Sequence, residues 1–142
     1  SIDVTSLAVY LDKVKDIASI NKMMGANYLR DFIQGQDVAG ALLAKAIQAD
    51  VKAKAKLDQA EAIAYLDRAS EYLKEKNIKD SSEARKRYVD VDPDVMDAKD
   101  NKAKTEALVS LLKNKLSILR QSHDDVKKIL YGENTMSQWE GM

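Results

Sequence analysis

The 142-residue sequence predicts an all-α protein, an elongated hairpin of two long helices preceded by an N-terminal helix. Charged residues make up 32% of the chain, aromatic residues only 6%, and there is one proline. The stretch 39–72 consists mostly of strong helix formers, with no glycine after Gly40. A helix over about residues 37–77 would be roughly 60 Å long. Because a compact domain of this length is only ~37 Å across, the sequence predicts a rod.

Composition restricts the classes of function. Lysine plus arginine and aspartate plus glutamate both number 23, so any electrostatic binding must come from local patches. The absence of cysteine excludes disulfides and thiolate sites and fits an intracellular protein. No apolar run is long enough to span a bilayer, and no secretory leader is recognisable. We therefore expect a cytoplasmic protein with no membrane contact.

The N-terminal helix is predicted over about residues 6–34. Thr5 or Ser6 is a suitable N-cap, and apolar residues then recur at helical spacing from Leu7 to Tyr28. Gly35-Gln36-Asp37 should end this helix, and its aspartate is a candidate N-cap for the next one.

The second helix is predicted over about residues 37–77. Its apolar positions alternate at three- and four-residue steps and are mostly alanine: Leu42, Ala46, Ala49, Ala53, Leu57, Ala60 and Ala64. Alanine lets two backbones approach closely, but at ~25 cal/mol per Å² each one stabilises little. The seam is compatible with an ordinary core-facing helix or with an oligomer interface.

A corner and a last long helix complete the predicted hairpin. Asp80 and Glu83 resemble a capping box that opens a short helix over about residues 81–90. Asp92 and Pro93 start the last helix, predicted over about residues 93–131.

The last helix carries the most regular apolar pattern. We assign its alternating positions as the oligomer seam: Leu112, Leu116, Leu119, His123, Val126 and Leu130. Residues 1–131 are thus expected to form one helical domain, followed by a flexible tail over residues 132–142.

No catalytic or metal-binding motif is present in the sequence. The single histidine, His123, lies on the leucine seam, where packing accounts for it and no orienting partner can be named. The aspartates of residues 90–97 resemble the start of an EF-hand loop. However, the required glycine is replaced by Val95 and the closing glutamate by Asn101. We therefore predict a protein that is not an enzyme and has no metal and no cofactor.

Two basic clusters are candidate nucleic-acid contacts. Most lysines in the middle of the second helix share one face, while Lys54 lies on the other side, where it can reach a neighbouring chain. At the corner, a tyrosine beside three cations offers base stacking. Solvated charged faces are the alternative interpretation. The predicted nucleic-acid-binding residues are Lys45, Lys52, Lys54, Lys56, Arg85, Lys86, Arg87 and Tyr88.

Several short motifs, taken in order, resemble the UvsY-type recombination mediators of tailed phages. The motifs are KAKLD at residues 54–58, Asp92-x-Asp94-Val95, Arg120, VKKI at residues 126–129 before Gly132, and Ile2-Asp3 with Thr5 and Leu7 near the start. Lys54 and Lys56 match the family's basic DNA-contacting motif. The family's aromatic, glycine-rich break after that motif is absent, because residues 59–62 continue the helix.

The resemblance implies a homo-oligomer that binds single-stranded DNA. It further implies that the protein helps a RecA-like recombinase replace single-strand-binding protein on the strand. The alternative hypothesis is a structural or protein-interaction phage component with no nucleic-acid role, such as a helical scaffold, a virion accessory protein or a host-protein inhibitor.

Overall fold

The computed structural model describes residues 2–17 and 22–140, and within these ranges the only regular structure is helical. The predicted all-α class is therefore confirmed. A 3₁₀ turn at Thr5–Leu7 precedes the first α-helix, and a π-helical turn at Ala64–Arg68 follows the second. The α-helices are α1 (Ala8–Val14), α2 (Lys22–Ile63), α3 (Ala69–Glu75), α4 (Ser82–Val89) and α5 (Pro93–Glu140).

The predicted helix end at residues 35–37 is wrong. α2 runs through these residues without interruption, and the N-terminal helix ends at Val14 instead. Gly35 is buried, and a Cβ atom there would lie 3.0 Å from Tyr10 Cβ and 3.3 Å from Leu119 Cδ1. Glycine at this position therefore permits close packing and does not end the helix. Residues 18–21 of the predicted first helix lie outside the described residues.

The end of the long helical segment agrees with the predicted boundary near Asn77. α3 ends at Glu75, and Asn77 has a φ of 55°, in the left-handed region. The amide of Ile78 donates to the carbonyl of Leu73 at 2.9 Å, and the amide of Asn77 donates to the carbonyl of Lys74 at 3.3 Å. This pair of bonds is a Schellman motif with asparagine in the usual glycine position.

The starts of α4 and α5 differ in how well they were predicted. The N-cap of α4 is Ser81, whose Oγ accepts from the amide of Ala84 at 3.1 Å, and not Asp80. α5 starts at Pro93 as predicted, and Asp92 Oδ2 accepts from the amide of Val95 at 3.2 Å.

The C-terminal segment differs from the predicted flexible tail. α5 continues beyond Tyr131 to Glu140, and the backbone is helical on both sides of Gly132. Gly132 itself is non-helical, with φ 73° and ψ 163°, a conformation that glycine adopts without a Cβ penalty. Of this segment, the structure describes the backbone of residues 133–140 only, so nothing follows for the side chain of Trp139.

The chain divides into two compact units. The first unit consists of Ser1–Lys45 and Ser110–Met142, and the second of Ala46–Val109. Both long helices, α2 and α5, contribute residues to each unit.

In the first unit, α2 and α5 are antiparallel. Gly25 packs against Leu130, and Gly35, further along α2, packs against the earlier residue Leu119. The predicted seam of α5 is buried against the same chain: Leu112, Leu116, Leu119 and Val126 are buried, and His123 and Leu130 are half-buried. Its use in an oligomer stays a prediction. Phe32 and Leu7 are also buried, so this core is built from large side chains.

The second unit, taken by itself, is also an antiparallel pairing, with a different kind of core. Asp50 Oδ1 accepts from Thr105 Oγ1 at 2.6 Å, and Arg68 pairs with Asp92. The buried apolar side chains are mostly small: Ala46, Ala53, Ala64, Ala69, Leu73 and Val95. Three of these belong to the predicted alanine seam, which therefore faces the core of its own chain. The predicted helical hairpin is present in each unit.

Candidate nucleic-acid interface

The lysines predicted on the second helix are exposed and unpaired. Lys52, Lys54 and Lys56 lie on α2 within the second unit, and none forms an ion pair with any described residue. By contrast, Lys102 and Lys104 of the same unit each form ion pairs with carboxylates. The three free ammonium groups are therefore available to an external anion. Lys45 is also exposed, forms no ion pair with the part of the chain that the structure describes, and belongs to the first unit.

Asp50, which precedes this lysine segment on α2, already has hydrogen-bond partners on α5. Asp50 is half-buried and accepts from Thr105 Oγ1 at 2.6 Å and from Lys102 Nζ at 3.0 Å. The hydrogen bond from Thr105, followed by that from Lys102, holds the pKa of Asp50 below its usual range. Asp50 thus stays ionised while bound to α5, and it does not neutralise the lysines of α2.

At the corner, two of the three predicted cations have intramolecular partners. Arg85 Nε and Nη2 donate to the two carboxylate oxygens of Asp80 at 2.7 and 2.8 Å, and Nη1 donates to the carbonyl of Tyr65 at 3.0 Å. Arg87 donates to Glu83 at 2.9 Å, with both side chains exposed. Lys86 is exposed and forms no ion pair with the described residues. Arg85 is therefore a structural residue that ties α4 to the π-helical turn.

Tyr88 also has a structural contact that the sequence did not indicate. Its hydroxyl donates to Asp92 Oδ1 at 2.6 Å, which raises the pKa of Tyr88. Arg68 donates to both oxygens of the same carboxylate at 2.7 Å, so fully buried Asp92 has a bidentate counter-ion. The Arg68 hydrogen bonds, then those from Tyr88 and the Val95 amide, hold the pKa of Asp92 well below its usual range.

The ring of Tyr88 takes part in an aromatic groove. Tyr72 and Tyr88 pack with ring centroids 4.8 Å apart and planes inclined by 39°. Both rings line a groove of about 450 Å³ that is also bordered by Lys79 and Arg87. Lys76 Nζ lies 5.9 Å from the centroid of the Tyr72 ring. Aromatic faces next to cations are the combination that binds an unstacked base and its phosphate.

Sequence reasoning identified Tyr88 and Arg87 but missed Tyr72, Lys76 and Lys79. The sequence did offer a signal for them. The lysine-rich segment of residues 74–79 lies between Tyr72 and Tyr88, in a chain with few aromatic residues.

Acid is expected to destabilise the protein through the paired carboxylates Asp50, Asp80 and Asp92. Their folded pKa values all lie below the ordinary 3.8. A lowered pKa contributes stability that is present above the unfolded value and is lost as the pH falls through the folded value. The free energy of unfolding, measured by urea denaturation, should be flat above about pH 5 and should fall from about pH 4 downward. Asp92→Asn should lose less stability over that range. An unchanged pH profile in this variant would contradict the assignment.

Two aspartates of the EF-hand-like segment, residues 90–97, form ion pairs within the chain. Asp90 pairs with Lys99 at 3.6 Å and Asp94 with Arg68 at 3.5 Å. Among the side chains that the structure describes, no three histidine, aspartate or glutamate residues are grouped as a metal site would require. Within residues 2–17 and 22–140, no helix is both long enough and apolar enough to cross a membrane.

Comparison with protein-family models, with curated protein sequences and with solved structures gave no match.

Proposed function

We propose that the protein binds single-stranded DNA, without catalysis and with little sequence preference, and assists the loading of a RecA-like recombinase. The observation that carries this proposal is that Lys52, Lys54 and Lys56 are exposed on α2 and form no ion pair with the described side chains. The recombinase and single-strand-binding protein as partners rest on the resemblance to UvsY-type mediators.

Lysines without carboxylate partners suit a phosphate backbone because they need not break an ion pair to bind it. Each phosphate contact releases condensed counterions, so the affinity for a single strand falls with a log–log slope of about −0.7 per contact. Three lysines alone would give a slope of about −2. A neutral chain can therefore bind a strongly charged polymer through one local segment.

The aromatic groove supports a single strand over a duplex. A base that stacks on Tyr72 or Tyr88 contributes about 1–3 kcal/mol, irrespective of its identity. Bases in a duplex are already stacked on each other and are not available to the groove. Lys76 and Lys79 beside the rings can hold the adjacent phosphate.

The test is the binding of labelled oligo-dT of about 30 nucleotides, measured by fluorescence anisotropy. Reversing the three charges in Lys52→Glu/Lys54→Glu/Lys56→Glu should weaken binding by about 100-fold or more at about 50 mM salt. The wild-type affinity should fall with a salt slope of at least about −2.

The matched control is Lys15→Glu/Lys113→Glu/Lys128→Glu, which makes the same change in net charge at exposed lysines of the first unit. It should retain binding to within about 3-fold, because binding depends on the lysines that contact the strand and not on the net charge of the protein. Absence of wild-type binding at low salt, or an equal loss in both variants, would overturn the proposal.

A second candidate function is a protein-interaction or structural component without a nucleic-acid role. Exposed large apolar side chains favour it: Val51 on α2 is 64% accessible, and Leu66 on the π-helical turn is 65% accessible. A wild-type protein that fails to bind oligo-dT would support this alternative.

A further inference from the structure

A groove that shares no residue with the Tyr72–Tyr88 groove lies between the segment 58–66 and the C-terminal end of α4. We call it the second groove, and its volume is about 630 Å³. Its apolar lining consists of Ala62, Leu66 and Val89, with Tyr65 beside them. Leu66 is 65% accessible, so a large apolar side chain of this groove has no cover within the described chain.

The two walls of the second groove are tied together by hydrogen bonds. Arg85 of α4 donates to the carbonyl of Tyr65 at 3.0 Å, and the hydroxyl of Tyr65 donates to Ser82 Oγ at 3.1 Å. The Tyr65 carbonyl can accept from Arg85 because, in the π-helical turn, the amide of Ala69 donates to the carbonyl of Ala64 instead. The groove is therefore formed before a ligand arrives, which lowers the cost of ordering it on binding.

The charged lining of the second groove consists mostly of carboxylates. Asp58 and Glu61 belong to α2, Asp90 follows α4, and Lys86 lies on α4. Asp90 already has a partner, because Lys99 lies 3.6 Å from it. Asp58, Glu61 and Lys86 form no ion pair with any described residue. The two carboxylates of α2 are therefore left without a counter-ion in the part of the chain that the structure describes.

Asp58 and Glu61 are spaced to bind one cation together. Residues three apart lie on the same side of a helix, with Cβ atoms about 5–6 Å from each other. A guanidinium has five N–H donors in a planar fork and can therefore bond to both carboxylates. Ala62 lies one turn after Asp58 on the same side, so its methyl group offers apolar surface to the methylene stem of the cation.

We infer that the second groove binds an arginine-bearing amphipathic segment of another protein. The guanidinium of that segment bonds to Asp58 and Glu61, and an apolar side chain one turn away from it covers Leu66. The two free carboxylates repel a phosphate backbone. A polyamine would supply the cation but no branched apolar group to cover Leu66. A protein segment supplies both.

This inference does not rest on nucleic-acid binding. None of the three lysines proposed to contact DNA lines the second groove: Lys52, Lys54 and Lys56. The two ligands also carry opposite charge, so neither site can substitute for the other. The test below contains no nucleic acid, and its outcome is therefore separate from that of the oligo-dT experiment.

The probe is a labelled helical peptide of about 15 residues, with leucine along one face and arginine on both flanks. Its binding is followed by fluorescence anisotropy with up to about 300 µM wild-type protein. Asp58→Lys/Glu61→Lys should weaken binding by about 10-fold or more, because it reverses the charges that face the guanidinium. The same peptide with glutamate in place of arginine should not bind.

The matched control is Glu71→Lys/Asp97→Lys, which makes the same change in net charge. Both residues are exposed, lie in the second unit outside the groove and form no ion pair with the described residues. This variant should bind the peptide to within about 3-fold of wild type. Absence of wild-type binding, or an equal loss in both charge variants, would overturn the inference.

Leu66→Ser tests the apolar part of the contact. Because Leu66 is mostly exposed, the variant should fold normally, but it should bind the peptide about 3-fold more weakly or worse. Spermidine, used as a competitor, should displace the peptide only at concentrations at least about 10-fold above the Kd of the peptide. Unchanged peptide binding by Leu66→Ser, or spermidine that binds as tightly as the peptide, would contradict a protein segment as the ligand.

Discussion

Replacing Arg68 by methionine is expected to destabilise the protein by about 3 kcal/mol, measured as the free energy of unfolding in urea. The cost arises at Asp92, whose fully buried carboxylate would lose its bidentate counter-ion. Tyr88 and the amide of Val95 would still donate to it, which places the expected loss at the lower end of values for broken buried pairs.

The control is the double variant Arg68→Met/Asp92→Asn. Asparagine keeps an oxygen for the N-cap of α5 but carries no charge, so the double variant should be more stable than Arg68→Met alone. An additive double-mutant cycle would show that the two residues are not coupled and would contradict the assigned ion pair.

Gly35→Ala is expected to destabilise the protein by about 1–2 kcal/mol. A Cβ atom at this position would meet Tyr10 Cβ and Cγ at 3.0 Å, close to the backbone of α1, where little movement is possible. The cost of overpacking should exceed the gain of up to about 1 kcal/mol that alanine gives in a helix interior. Urea denaturation measures the difference.

Gly40→Ala is the matched control in the same helix. No atom lies within 4 Å of a Cβ placed there, so the variant should stabilise the protein by about 0.5–1 kcal/mol. If Gly35→Ala were equally stabilising, close approach of Tyr10 would not be the reason for glycine at position 35.

Local sequence signals were sufficient for the parts of the fold that depend on propensity and spacing. The run of strong helix formers predicted the long helix, and its alanine period identified the buried face that includes Ala53 and Ala64. Asp92 and Pro93 identified the start of α5, because capping is a local interaction. The Asn77 boundary was likewise close to the observed one.

The features that were missed depend on contacts between distant residues. Gly35 was predicted to end a helix because glycine usually does so at a helix C-terminus. Its packing against Tyr10 and Leu119 involves other helices and leaves no local signal. Arg68 and Asp92 are 24 positions apart, so their pairing follows only from the antiparallel arrangement. For the same reason the Tyr72–Tyr88 groove appears only once α3 and α4 are packed together.

The small side chains of the second core also determine how that unit opens. Exposing Ala46, Ala53 and Ala64 to water costs far less than exposing Phe32 or Leu119, because the hydrophobic contribution grows with apolar area. Local opening should therefore begin in the second unit, where little apolar surface resists it. The main barriers are then polar contacts: the Arg68–Asp92 pair and the bonds from Lys102 and Thr105 to Asp50 must break before the helices separate. The segment proposed to contact partners is the one that can loosen at the lowest cost, and a few polar contacts control that opening.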